Sequence, residues 1–133
     1  MVFSSLRLNS STFFVITSFE SFNSAFNSVT FWVRCSKTGN FGINLRNYSQ
    51  DRQINTSVTI NTANTWEYKS VTFAGDTSDQ FSVSINAVMA IEFWLTAGNN
   101  YSSGGGQSTW AARNDTKRAA SHLGAFSSGD KFG

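Results

Sequence analysis

Apolar residues recur at every second position along most of this chain. From Val29 to Ser36, the side chains of Val29, Phe31, Val33 and Cys35 share one side of an extended segment, with Thr30, Trp32, Arg34 and Ser36 on the other. Lys37 to Asn40 reads as a turn in which Gly39 can take a positive φ. The return carries Phe41, Ile43 and Leu45 against Gly42, Asn44 and Arg46, so the two segments are expected to pair as a β-hairpin. A polar loop at 48–52 leads into a strand with Ile54, Val58 and Ile60, and 61–65 is another turn. From Trp66 to Phe73 the phase changes: Trp66 and Tyr68 fall on one side, Val71 and Phe73 on the other. That predicts a β-bulge or a strand buried in part on each face.

Further along, 75–80 is a loop, Phe81, Val83 and Ile85 alternate with serines, and Ala87 to Leu95 alternates again. At the N-terminal end, Leu6 and Leu8 mark one short strand and Phe13 to Glu20 another. The segment 97–109 is rich in Gly, Ser and Asn and is expected to be a flexible loop. Trp110 to Ala112 reads as a short strand or turn, 113–124 as a brief helix, and 131–133 as the start of a strand. Eight or nine short strands at this spacing predict one all-β domain over residues 1–133, a two-sheet antiparallel β-sandwich of the jelly-roll kind. Its core is expected to hold Val29, Phe31, Val33, Phe41, Ile43, Leu45, Phe81, Val83, Ile91, Phe93 and Leu95.

Composition agrees with strands and adds constraints on function. Charged residues are 14% of the 133 and aromatics 15%, so polarity comes from Ser, Thr and Asn, and the chain is not of the low-hydrophobicity disordered kind. The net charge of +2 is small, and of the ten Lys and Arg only Lys117 and Arg118 are adjacent. Nucleic-acid binders gather basic residues into a stripe, so no nucleic-acid partner is expected. The longest apolar run, Phe13 to Ile16, is far too short for a membrane helix, and the first residues lack a secretory signal pattern, so no membrane is expected either. Cys35 is the single cysteine, which excludes an intrachain disulfide, and its alternation makes it a core residue.

Catalytic chemistry finds little to stand on. His122 is the only histidine, and it lies in an Ala/Ser-rich segment with Asp115 as its nearest carboxylate in sequence. No His, Cys, Asp and Glu set has metal-ligand spacing, so no metal or cofactor is expected. Gly104 to Gly106 lacks the Lys-Ser/Thr of a phosphate-binding loop. A protein acting by binding, not an enzyme, is the expectation.

Aromatic display is the remaining signal. Trp32 and Trp94 fall in phase with the charged residues Arg34 and Glu92, opposite the apolar stripes. A Trp so placed either packs under a covering segment or offers an open ring, and open rings suit the flat faces of sugars. A loop site is also expected, formed by Tyr101 and Trp110 with Arg113, Arg46 and Tyr48: rings for stacking, guanidinium donors for hydroxyls. The alternative is that Trp110 plugs the end of the sandwich.

The segment Val29 to Gly39 (VTFWVRCSKTG) resembles the strand-turn motif "TlSFWVrSSkTG" of a domain common in tail-fibre and other virion proteins of marine and cyanobacterial phages. Asn64 to Thr77 (NTWEYKSVTFAGDT) is similar to that family's "NTWEkKtiTiaGDT", Asp51-Arg52 to its "DR", and Leu95 to Gly98 followed by Trp110 to its "LaAGs…W". A fainter resemblance, in the order of an FW strand and a tW strand, runs to jelly-roll carbohydrate-binding modules. The phage resemblance implies a virion surface protein, a fibre, spike or decoration module assembled in the host cytoplasm. It would bind a host-surface polysaccharide, other virion proteins, or both, as a homo-oligomer with a trimer expected for a fibre. The alternatives are a purely structural decoration subunit and an accessory carbohydrate-binding module of an enzyme. The family continues beyond a position like Phe132 into a last strand, which this sequence, ending at Gly133, does not contain.

Overall fold

The computed structural model describes residues 6–9, 12–20, 26–47, 49–78, 89–94 and 97–119, with side chains from Ser28 on. Its strands are β1 (Leu6–Asn9), β2 (Thr12–Glu20), β3 (Phe26–Cys35), β4 (Gly39–Asn47), β5 (Arg52–Ile60), β6 (Glu67–Ala74), β7 (Met89–Trp94) and β8 (Ala111–Ala112). They form two four-stranded antiparallel sheets: a front sheet ordered β1-β2-β3-β6 and a back sheet ordered β7-β4-β5-β8. This is the two-sheet antiparallel sandwich that the alternation predicts. A helical turn, α1 (Asn99–Ser102), and a 3-10 turn at Asp115–Lys117 complete the described elements.

The expected hairpin between 29–36 and 41–46 does not form. β3 pairs with β2 and β6, whereas β4 pairs with β5 and β7, so 36–38 carries the chain from one sheet to the other. Alternation states which face of a strand is buried but not which strand is its neighbour. Two consecutive strands can bury their apolar faces in one core from opposite sheets, and these do. Gly39, at φ +131°, sits where the chain enters β4, a conformation that L side chains avoid.

The core lies between the sheets. Val29, Phe31, Val33, Cys35, Val71 and Phe73 come from the front sheet, and Phe41, Ile43, Leu45, Ile54, Val58 and Ile60 from the back, all buried. Phe31 meets Phe93 edge-on across the layer, ring centroids 5.4 Å apart. Met89, Ile91 and Phe93 are half-buried against this cluster. Phe81, Val83 and Leu95, expected in the core, lie outside the described residues, as do His122 and Phe132.

The phase change in β6 resolves as neither a bulge nor a strand buried on both faces: one face meets the core and the other is exposed. Its register with β3 runs without interruption from Phe26↔Ala74 to Val33↔Glu67. Tyr68 therefore faces outward while Val71 and Phe73 face the core. Glu67 and Lys69 take the inward phase at the end of the strand and pair with each other at 2.6 Å. Glu67 also accepts from the backbone N–H groups of Asn61 and Thr62, fastening the β5–β6 turn. Burial by itself pushes the Glu67 carboxyl up, but Lys69, the Thr62 amide and Asn61 outweigh it and hold it down at about 2.

Two further ties join the sheets where β5 starts and β6 ends. Arg52 on β5 grips Asp76, just past β6, through two N–H donors at 2.6 and 2.9 Å, and Asp76 is 1% exposed. The Trp110 indole N–H donates to the Ala74 carbonyl at 2.7 Å, while the next residue, Ala111, pairs with Gln53 in the back sheet. An aspartate that sequence reading leaves in a turn is thus a buried anchor.

Candidate functional site

The outer faces of the two sheets carry the polar phases of the same alternations, and they end up in opposite states. On the back sheet, Gly42, Asn44 and Arg46 of β4 stand in register with Ser57, Asn55 and Gln53 of β5 and with Trp94, Glu92 and Ala90 of β7. The segment 98–119 lies over this face. Its Gln107 backbone exchanges hydrogen bonds with Asn55 at 2.8 and 3.0 Å, and its side chain donates to the Gln53 carbonyl at 2.8 Å. Asn55 Nδ2 donates to the Lys117 carbonyl and Gln53 Nε2 to that of Asn114. Gly104 lets the covering segment pack closely on itself, whereas Gly42 borders it at ordinary contact distance. A Cβ on Gly42 would stand 3.6 Å from the Ala119 backbone, and one on Gly104 would collide with Thr116 and Lys117.

Glu92 is the hub beneath this cover. Its carboxylate accepts from Asn44 at 3.0 Å and from the Trp94 indole at 3.3 Å, and pairs with Arg46 and Arg118, each at 2.5 Å. Burial raises the Glu92 pKa, yet the bonds from Arg118 and Asn44 and the charges of Arg118 and Arg46 hold it below the usual carboxylate range. The Arg118 guanidinium lies 5.1 Å from the Trp94 ring centre and 5.6 Å from that of Tyr101, and those rings stack 5.2 Å apart. Three buried polar atoms on this face, Asn44 Oδ1, Arg46 Nε and Gln53 Oε1, have no partner among the described residues.

The front sheet's outer face is open at its aromatic centre. Ser28, Thr30, Trp32 and Arg34 of β3 alternate outward, with Thr72, Ser70 and Tyr68 of β6 opposite the first three. Trp32 is 42% and Tyr68 53% exposed, and their rings form a tilted pair 5.4 Å between centroids. Ser28 and Thr72 hydroxyls bond across the strands at 3.1 Å. Trp66, just before β6, is 44% exposed. The Arg34 Nε donates to the Asn64 carbonyl at 2.9 Å, in a turn where Asn64 takes φ +59°.

Of the five residues expected to form a loop site, four lie among the described residues. Tyr101 and Arg46 do share the back face, joined through Arg118 and Glu92. Arg46 is spent on Glu92 and on Gln50, however, and Tyr101 is part of the cover. Trp110 is half-buried against the core, and Arg113 bonds Asp115 at 2.9 Å. Tyr48 lies outside the described residues. The loop at 97–109, expected to be flexible, instead packs on the sheet through Tyr101 and Gln107. Of the two tryptophans flagged by phase, Trp94 is the covered one and Trp32 the open one. Sequence reading did not single out Tyr68 as Trp32's partner, although the shared i + j register makes it so. Among the described residues no group of three His, Cys, Asp or Glu side chains is placed to hold a metal ion. Comparison of the chain with protein-family models, with curated proteins and with solved structures gives no match.

Proposed function

We propose that this chain is a binding module of a phage virion surface, in a fibre, spike or decoration, and that it adsorbs a host-surface glycan on the outer face of its front sheet. The observation that carries the reading is the open Trp32–Tyr68 pair set among serine and threonine hydroxyls. Flat rings match the C–H faces of pyranose sugars, and neighbouring hydroxyls and amides supply the hydrogen bonds that fix orientation. The virion setting rests on the motif likeness of Val29–Gly39 and Asn64–Thr77. In this reading the module works by binding, without catalysis, and as one copy of a homo-oligomer, a trimer in a fibre.

A glycan array probed with the wild-type chain and with Trp32→Ala and Tyr68→Ala tests the proposal. Binding by the wild type that both variants lose, at unchanged melting temperature, supports it. A flat array, together with variants that still fold but fail to join the virion, would favour the purely structural decoration subunit.

A further inference from the structure

We infer that the glycan taken by the front face is an acidic one, its anionic group held by Arg34; this rests on the glycan-binding reading above. Six arginines occur in the sequence, and the structure describes the side chains of five. Four of those five are matched to carboxylates: Arg46 and Arg118 to Glu92, Arg52 to Asp76, Arg113 to Asp115. Arg34 is the exception, and it stands on the face with the open rings. Every described acidic side chain is engaged elsewhere: Asp51 with Asn47, Glu67 with Lys69, and Asp76, Glu92 and Asp115 with the other arginines.

The geometry of Arg34 suits a ligand. Its Nε is fixed on the Asn64 carbonyl, which positions the guanidinium while its terminal nitrogens have no partner among the described residues. Two parallel N–H donors on a planar group match a carboxylate or a sulfate ester in bidentate fashion, which a lysine cannot reproduce. Arg34 lies two positions along β3 from Trp32, roughly 6.6 Å, so one saccharide chain stacked on the ring reaches the guanidinium. Among the described residues, the acidic position in register with this face is Glu20, opposite Ser28. That is six positions from Arg34 along β3, roughly 20 Å, too far to compete with a ligand there.

Uronate and sulfate share this chemistry, and a binding experiment separates them. The full chain is titrated with polygalacturonate and its carboxyl-reduced counterpart, and with a sulfated galactan and its desulfated counterpart. One anionic polymer of a pair is expected to bind about tenfold or more tightly than its neutral form, the size of a charged hydrogen-bonded contact. Arg34→Gln should erase that difference while still binding the neutral form, and Arg34→Lys should restore only part of it. Thermal unfolding confirms that each variant is folded. Equal affinity for charged and neutral forms, or an Arg34→Gln variant that keeps the preference, overturns the inference and leaves the platform standing if Trp32→Ala still abolishes binding. Binding of none of the four polymers or of any arrayed glycan would overturn both.

Discussion

The two outer faces of this sandwich start from similar material and finish differently. Each is the polar phase of alternating strands, and each carries a Trp, an Arg and hydroxyl or amide side chains. On the back sheet the strands also carry Glu92, Asn44, Asn55 and Gln53, whose donors and acceptors match the backbone of 98–119. A passing segment can satisfy such groups, and the face is sealed. On the front sheet the outward residues of β3 and β6 are hydroxyls, rings and Arg34, with no amide or carboxylate among them. They bond along the sheet, as Ser28 does with Thr72, and offer little to hold a covering backbone. What a face does with its tryptophan is therefore decided by the groups beside it.

The deepest way to break this arrangement is to remove the floor beneath both faces. Phe31→Ala, at a fully buried site against Phe93, should cost about 3–5 kcal/mol and lower the urea midpoint for the whole domain. Glu92→Gln separates the faces. It leaves Arg46 and Arg118 without their shared counter-charge, and should cost about 3 kcal/mol. Hydrogen exchange should quicken in 98–119 while the front-sheet amides of β3 and β6 keep their protection.

Acid should act in the same direction. The Glu67 and Glu92 carboxyls are held below the usual 4.5 when folded. Their stabilisation is complete above the unfolded value and is lost as pH falls below about 4.5 through each folded value, about 2 for Glu67. Urea midpoints measured across that range should drop, and in Glu92→Gln the drop should be shallower. A flat profile would mean that these ion pairs contribute nothing to folding.

Next in size comes a test with one residue type in two places. Trp110→Ala should destabilise by about 2 kcal/mol, since it loses core contact and the bond to Ala74 that ties the sheets. Trp32→Ala should stay within about 0.5 kcal/mol of wild type, because its ring is exposed. Equal losses in calorimetry would erase the distinction between covered and open faces.

What the sequence determined by itself is the set of inward residues. Alternation in Val29–Cys35, Phe41–Leu45 and Ile54–Ile60 identifies the buried side chains, because period-2 geometry leaves each strand only two faces and water selects between them. The eight acids and their lack of clustering, and the isolation of Cys35, are also plain from the chain alone. Tertiary structure decided which strands pair. The turn after Cys35 joins two sheets and not one hairpin, and local pattern carries no record of a partner remote in sequence. It also decided the fate of the polar faces. Tyr101, Arg46 and Arg118 are far apart in the chain and meet only because 98–119 folds over β4 and β7, while Trp32 and Tyr68 meet through the β3–β6 register. Side-chain type fixes what a residue can bond, but only the packed fold brings its partner within bonding distance.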